Sequence, residues 1–374
     1  MTEISHLYIH LPFCASRCGY CDFYSEAGRL GDAPAYIEAV LAELNEAAGE
    51  SGDGLSRVET LYLGGGTPAL LGAELLGRLL DGARPLLAAG AEVTVEANPA
   101  AVTVELAAAL KGAGVTRVSL GAQSFSPRLR RRLERQGPVE AIGESVLMLR
   151  DAGFDNIGMD LIFGIPGQEL RELEEDLRRA LALAPEHLSC YELTVKEGSR
   201  YARRWGAELA AMADRGRLFY EKVVDTLEGA GYRWYETSNF ALPGFECRHN
   251  LAYWAGADYL GLGAGAWSTV GRGRWRNVEA MGNYIDGLHS ARELEGLREF
   301  EERTPGQAAA EKLMLGLRRG SGVSLDEVAS LIDVSQENLL QGNGFLIRDG
   351  DRICLTRAGR FVANEVCARL LLSK

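Results

Sequence analysis

Three cysteines near the N-terminus, Cys14, Cys18 and Cys21, lie in the run His10-Leu-Pro-Phe-Cys-Ala-Ser-Arg-Cys-Gly-Tyr-Cys-Asp-Phe23, a C-x3-C-x2-C spacing directly after a short apolar strand. Three thiolates on one tight loop hold three corners of a cubane [4Fe-4S] cluster. The fourth iron is then left without the cysteine that a simple electron-transfer cluster uses. An iron open in this way binds a small ligand. A structural zinc site is the plain alternative, but it wants four ligands, usually as two separated Cys or His pairs, and the next cysteine is Cys190. A disulfide fits less well. Seven cysteines is an odd number, and the opening Met-Thr-Glu-Ile-Ser-His lacks the basic and apolar regions of a targeting signal, so a reducing cytoplasm is expected.

Other chemistry-bearing residues follow at intervals. Gly64-Gly-Gly-Thr-Pro68 supplies permissive backbone whose free N–H and C=O groups suit an amino-acid moiety; by itself it reads equally well as a tight strand-helix turn. Glu96 offers two acceptors suited to ribose hydroxyls, and Gln123 a donor and an acceptor, unless each is a surface loop residue. Asp160 interrupts the apolar run Ile157-Gly-Met-Asp-Leu-Ile-Phe163, where a desolvated carboxylate needs a partner. Arg135 or a bound ligand fills that role, with a structural ion pair as the bland reading. His249, in Cys247-Arg-His-Asn-Leu-Ala-Tyr-Trp254, stands beside two large rings. It reads either as a ligand to an iron porphyrin stacked on those rings or as a satisfied core histidine.

These residues need a scaffold, and the chain has the length for one large domain plus a small one. Of its 374 residues 47% are hydrophobic and 25% charged, ordinary values for a folded globular protein. A net charge of -12 argues against nonspecific binding to nucleic acid and against more than peripheral contact with a membrane, and no 18-residue apolar run is present. Six apolar runs read as strands: Leu7 to Leu11, Val58 to Leu63, Glu92 to Glu96, Arg117 to Gly121, Asn156 to Phe163 and His187 to Thr194. Helical periodicity separates them, as in Tyr36, Ile37, Val40, Leu41 and Leu44 after the start signal Asp32 and Pro34. Six strand-helix units predict an α/β fold, a partial (β/α)6 TIM-like barrel over residues 1–295, with its sites at the strand C-terminal ends. Residues 231–295 form an aromatic and glycine-rich extension of it. Residues 296–374 predict a small winged-helix-like α+β domain whose hairpin turns at Asp349-Gly350; lacking a basic stripe, it suits a lid or docking role better than DNA binding.

With these motifs in view, and with Gly121-Ala-Gln-Ser-Phe125, Asp160-Leu-Ile-Phe-Gly-Ile-Pro-Gly-Gln168 and Glu311-Lys-Leu-Met-Leu-Gly-Leu-Arg318 added, the chain resembles end to end the HemW heme-chaperone family of radical SAM proteins. The resemblance implies a [4Fe-4S] cluster on Cys14, Cys18 and Cys21. It implies S-adenosylmethionine (SAM) contacts at Tyr8, Tyr20, Gly65, Gly66, Thr67, Glu96, Gln123, Arg135 and Asp160, and heme bound as cargo through His249. The implied partners are apo-hemoproteins of the respiratory complexes, with a homodimer left open and a cytoplasmic location. The alternative within the same superfamily is an oxygen-independent coproporphyrinogen III oxidase of porphyrin biosynthesis. That enzyme carries a further cysteine where this chain has Phe23, and a longer segment ahead of the residue matching Tyr8, so both features favour the chaperone. One departure runs against the family: the pattern Leu-Gly-Arg-x-His is replaced by Leu133-Glu-Arg-Gln-Gly137, which keeps Arg135 and loses the histidine.

Overall fold

A computed structural model describes residues 4–49, 55–213, 215–289 and 294–371; the opening Met1-Thr2-Glu3 of the targeting-signal reading lies outside them. The six expected strands form β1 (Ile4–Leu11), β2 (Leu55–Gly65), β3 (Leu87–Ala97), β4 (Arg117–Gln123), β5 (Ile157–Phe163) and β6 (His187–Glu192), each parallel to the next. Helices α1 (Ala33–Ala48), α2 (Gly72–Ala83), α3 (Val104–Gly112), α4 (Pro127–Arg132), α5 (Glu140–Asp151) and α6 (Leu170–Ala182) run between them. Along each strand the side chains alternate. Leu7, Ile9, Leu61, Leu63, Val93, Val95, Val118, Leu120, Met159 and Leu161 sit in the apolar core, while the residues between them are largely polar. That period of two turns one face to the helices and the other, with His6, Tyr8, Thr60, Tyr62, Glu92, Thr94, Glu96, Arg117, Ser119, Asp160 and Ser189, into the barrel lumen.

The sheet has nine strands, three more than the periodicity reveals. After α7 (Arg200–Ala213) and α8 (Gly216–Gly229) come β7 (Arg233–Trp234), β8 (Asn239–Ala241), the helix α9 (Arg248–Trp254) and β9 (Leu260–Leu262). The order is β9-β1-β2-β3-β4-β5-β6-β8-β7, an open sheet whose added strands cover both edges of the six-strand core. Strands of two or three residues are too short to show a repeat, which is why the aromatic and glycine-rich extension gives no strand signal.

Beyond the barrel, β10 (Trp267–Val270), β11 (Gly273–Asn277) and β12 (Arg298–Glu302) make a small antiparallel sheet, with α10 (Met281–His289) between its last two strands. Since β12 pairs with β11, residues just past 296 belong structurally with the extension. The winged-helix-like unit starts at α11 (Pro305–Gly316), entered through a capping box of Thr304 and Gln307. It continues through β13 (Val323–Ser324), α12 (Leu325–Val328), α13 (Val334–Gly342), the hairpin β14 (Leu346–Asp349) and β15 (Arg352–Leu355), α14 (Arg357–Arg360) and α15 (Ala363–Leu370). Leu313, Val328, Leu340, Ile353 and Val366 give it a core of its own. It is anchored to the barrel by Arg360, whose guanidinium lies 3.6 Å from the centre of the Trp234 ring, and by Phe361 against Tyr220.

Candidate functional site at the barrel rim

The cysteine loop leaves β1 through Pro12 and the fully buried Phe13, which packs edge-on against Tyr36 of α1. It closes on itself: Phe13–Cys14 pairs with Glu26–Ala27, Glu26 N–H donates to Pro12 O (2.7 Å) and Cys21 N–H to Cys18 O (3.1 Å). His10 ties the loop to the strand. Its Nε2 bonds the Tyr24 carbonyl (2.9 Å), while Nδ1 takes the Tyr8 hydroxyl (2.9 Å). Burial pushes the His10 ring down to about 4, so near neutral pH it is an uncharged link.

Cys14, Cys18 and Cys21 are free and half-buried, and they line one cavity of about 450 Å3 at the C-terminal rim. Burial raises the Cys14 and Cys21 thiols. Arg135 Nη1 stands 3.9 Å from Cys18 Sγ. Among the described residues no three His, Cys, Asp or Glu side chains converge as the ligands of a single ion. The surroundings fit a larger group with an organic ligand: Arg135 Nε is buried without a partner, and a Cβ on Gly66 would meet Phe13 O at 2.6 Å, so backbone approaches the cavity where no side chain fits.

The glycine run departs from expectation in one respect. Its N–H groups are not free: Gly65 N–H donates to Glu96 Oε2 (3.2 Å), Gly66 N–H to Leu11 O (3.0 Å) and Thr67 N–H to Phe13 O (2.7 Å). Glycine is needed here for clearance, since a Cβ on Gly65, at φ +105, would fall 2.4 Å from the His10 ring. The loop therefore clamps the end of β1. Asp160 also finds unexpected partners. Ser119 Oγ donates to it at 3.2 Å and the Ser189 hydroxyl also bonds it, while Arg135 acts on it only through space.

Arg135 is placed by Glu134, which adopts a left-handed φ of 55°, and by its own Nη2 donating to Gly121 O (2.8 Å). Gln123 is aimed by a register shift against β5 and a left-handed φ of 67°. Tyr20, Gly65, Gly66, Thr67, Glu96, Gln123, Arg135 and Asp160 thus line the same cavity as the three thiols. Phe23 is on that lining too, 68% exposed. Tyr8 is not on the lining; it stands behind it, against Tyr62. The residues that sequence reasoning passes over are His10, Tyr62, Ser119 and Ser189, and the alternation of polar residues along their strands is the signal that could have found them.

Glu96 accepts from Tyr62 Oη (2.8 Å) and the Gly65 N–H, and burial, then the Asp160 charge, push it up to about 7. A carboxyl whose folded pKa exceeds its unfolded value keeps its proton longer in the folded chain. Between about pH 4.5 and about pH 7 the unfolded chain therefore binds fewer protons, and stability falls as pH rises through that window. Denaturant midpoints at about pH 5 and about pH 8 are expected to separate in the native protein and to draw together in Glu96→Gln; an equal fall in both assigns it to another group.

His249 lies elsewhere. Helix α9 starts against the lumen end of β3, where Glu92 accepts the His249 N–H (Oε1, 3.0 Å), the Arg248 N–H (Oε2, 3.0 Å) and the Cys247 thiol (3.4 Å). This carboxylate at the helix start fixes α9 across the barrel floor. The His249 ring packs on Tyr62 (5.2 Å), on whose hydroxyl Glu96 is bonded. Its Nδ1 is 2.9 Å from Thr60 Oγ1, and that oxygen is also 2.9 Å from His6 Nδ1. One turn on, Tyr253 is 46% exposed and lines a second cavity of about 760 Å3 with Tyr259, Trp267, Arg274 and Lys312.

Comparison with known proteins settles the kinship. The model of the Radical SAM superfamily matches residues 8–180 and that of the HemN C-terminal domain residues 303–362. The heme chaperone HemW of Mycobacterium tuberculosis is 39% identical over 98% of this chain and 94% of its own. The chain belongs to the HemW family. HemW of Bacillus subtilis is 33% identical over 97% of this chain and 98% of its own. In fold the chain is similar to the coproporphyrinogen III oxidase HemN of Escherichia coli, with a TM-score of 0.79 over 98% of this chain and 90% of that one, at 21% identity. Membership in the radical SAM superfamily implies a [4Fe-4S] cluster and SAM, and the cysteine loop and rim cavity are the part of this HemW-family chain whose residues suit them. Among the described residues no helix is long and apolar enough to cross a membrane.

Proposed function

We propose that this protein is a heme chaperone that binds heme through His249 and passes it to apo-hemoproteins of the respiratory chain. Cys14, Cys18 and Cys21 would hold the [4Fe-4S] cluster, with SAM beside it in the rim cavity. When bound, that pair supplies an open iron site and a one-electron reductant. The chain's own residues do the rest. Glu96 presents carboxylate oxygens for ribose hydroxyls, Gln123 and Asp160 present polar groups along the cavity wall, and Arg135 holds positive charge next to Cys18. His10 and the clamped glycine loop hold the cysteine loop at one height above the sheet.

The observation that carries the heme reading is the state of His249: neutral, pushed down to about 3 by burial, with Nδ1 bonded and no hydrogen-bond partner on Nε2 among the described residues. A neutral imidazole with one nitrogen occupied and the other bare is the form that ligates iron. Tyr253, exposed one turn along the helix, offers a ring for a porphyrin face.

Hemin titrated into the purified protein is expected to give a Soret band whose position changes in His249→Ala, with affinity reduced at least about 10-fold. A Soret band identical in the two proteins removes His249 as the ligand. Conversion of coproporphyrinogen III to protoporphyrinogen IX by reconstituted protein would replace the chaperone reading with the oxidase one.

A further inference from the structure

Thr60 Oγ1 is shared by two imidazoles. His249 Nδ1 and His6 Nδ1 each stand 2.9 Å from it, on α9 and β1 respectively, with Thr60 between them on β2. A hydroxyl has one proton. It can donate to one ring at most, and must accept an N–H from a ring to which it does not donate. The chain His6···Thr60···His249 has three arrangements for neutral rings: two relays, and one in which both Nδ1–H groups donate to Thr60 and its own proton points elsewhere. In one relay, His249 Nδ1–H donates to Thr60, Thr60 donates to His6 Nδ1, and His249 Nε2 carries a bare lone pair. In the other relay, both bonds reverse and His249 Nε2 carries the proton.

Ligation of iron distinguishes them. Both rings are half-buried, and burial lowers each: His249 to about 3, and His6 in the presence of the Glu59, Arg248 and Glu92 charges. Among the described residues the His249 ring makes its hydrogen bond through Nδ1, to Thr60 Oγ1, and an imidazole that ligates a metal donates the N–H of its other nitrogen to an acceptor of this kind, so the arrangement with the proton on Nδ1 is the one that leaves Nε2 for iron. The charges of Glu59 and Glu92 act on the His6 ring through space. Glu92 contributes again from β3, since it accepts the His249 N–H and holds the start of α9.

We propose that Thr60, backed by His6, is a positioning residue for heme: its hydroxyl sets the His249 tautomer so that the Nε2 lone pair is presented to the iron. This rests on the reading of His249 as heme ligand. It adds that two strand residues with no part in the rim cavity decide whether that ligand is competent.

The test separates the two claims by reading the tautomer without heme. In the heme-free, full-length protein labelled with 15N-histidine, long-range 1H–15N correlation spectra are expected to show His249 protonated on Nδ1. In Thr60→Val, which keeps the side chain's shape and removes the hydroxyl, that tautomer is expected to lose its dominance, and hemin affinity to fall about 10- to 100-fold with an altered Soret band. Thr60→Ser is expected to restore both. His6→Leu frees the Thr60 proton to rotate and is expected to weaken hemin binding, whereas His6→Asn, whose carbonyl accepts at the same place, is expected to restore it. A native His249 protonated on Nε2, or a Thr60→Val protein of unchanged tautomer and hemin spectrum, overturns the proposal. A correct tautomer with hemin binding unaffected by His249→Ala instead overturns the heme-ligand reading.

Discussion

Replacing Cys14, Cys18 and Cys21 together by alanine is expected to leave a folded protein that holds essentially no iron, against about four irons per native chain after anaerobic reconstitution. The three thiols lie on a loop that contributes little to the core, whose residues begin again at Phe13 and Ala33, so the substitution removes ligands without opening a cavity. Cys190, Cys247, Cys354 and Cys367 provide the control. All four are buried, and none of them lines the rim cavity. Replacing each of them by serine is expected to leave the iron content unchanged. Iron that survives the triple substitution, measured by metal analysis and visible absorption, would mean that the cluster is held by other residues.

Gly66→Ala is the second large effect. An added Cβ would meet Phe13 O at 2.6 Å, Leu11 O at 2.8 Å and Phe13 N at 2.8 Å. These are backbone atoms of the segment that carries the cysteine loop, and they cannot swing aside as a side chain can. The clash also falls beside the Gly66 N–H to Leu11 O bond that clamps the two segments together. Overpacking of this kind costs about 1–3 kcal/mol, and more where backbone must move. SAM binding, read by equilibrium dialysis, is expected to weaken by about 100-fold, roughly what 2.7 kcal/mol represents. Gly77, within α2, shows the contrast: a Cβ there meets nothing within 4 Å, and Gly77→Ala is expected to stabilise the protein by about 0.5–1 kcal/mol. Equal behaviour of the two variants would contradict the close-approach role of the glycine loop.

How far the sequence leads depends on whether a feature is local. The six central strands are legible because each is long enough to show apolar residues such as Leu61 and Leu63 under the helices. The hairpin is legible because its turn chemistry is local, although the turn lies one residue beyond the expected Asp349-Gly350: Asp349 pairs with Arg352, and Gly350-Asp351 form the loop. By contrast, β8 and β9 consist of three residues each and exist only because an open sheet edge is there to receive them. The glycine loop illustrates the same boundary within the site. Its position after a strand is a local fact, but the use of its N–H groups depends on Leu11, Phe13 and Glu96, which arrive from other elements. The partners of Asp160 come from β4 and β6. Thr60 and His6 were equally out of reach: each is unremarkable in its own strand, and they acquire meaning only when α9 folds back across the floor.

One pairing has a bearing on how the molecule is made. The first strand carries the cysteine loop at its end, yet one of its two edges is filled by Leu260–Leu262, from far along the chain. During synthesis β1 is thus made long before this neighbour. Until the neighbour is made, the backbone amides and carbonyls of β1 on that side stay unpaired, and the cysteine loop at its end is only half supported. Topology alone thus leaves the base of the cysteine loop open on one side until Leu260–Leu262 has been translated.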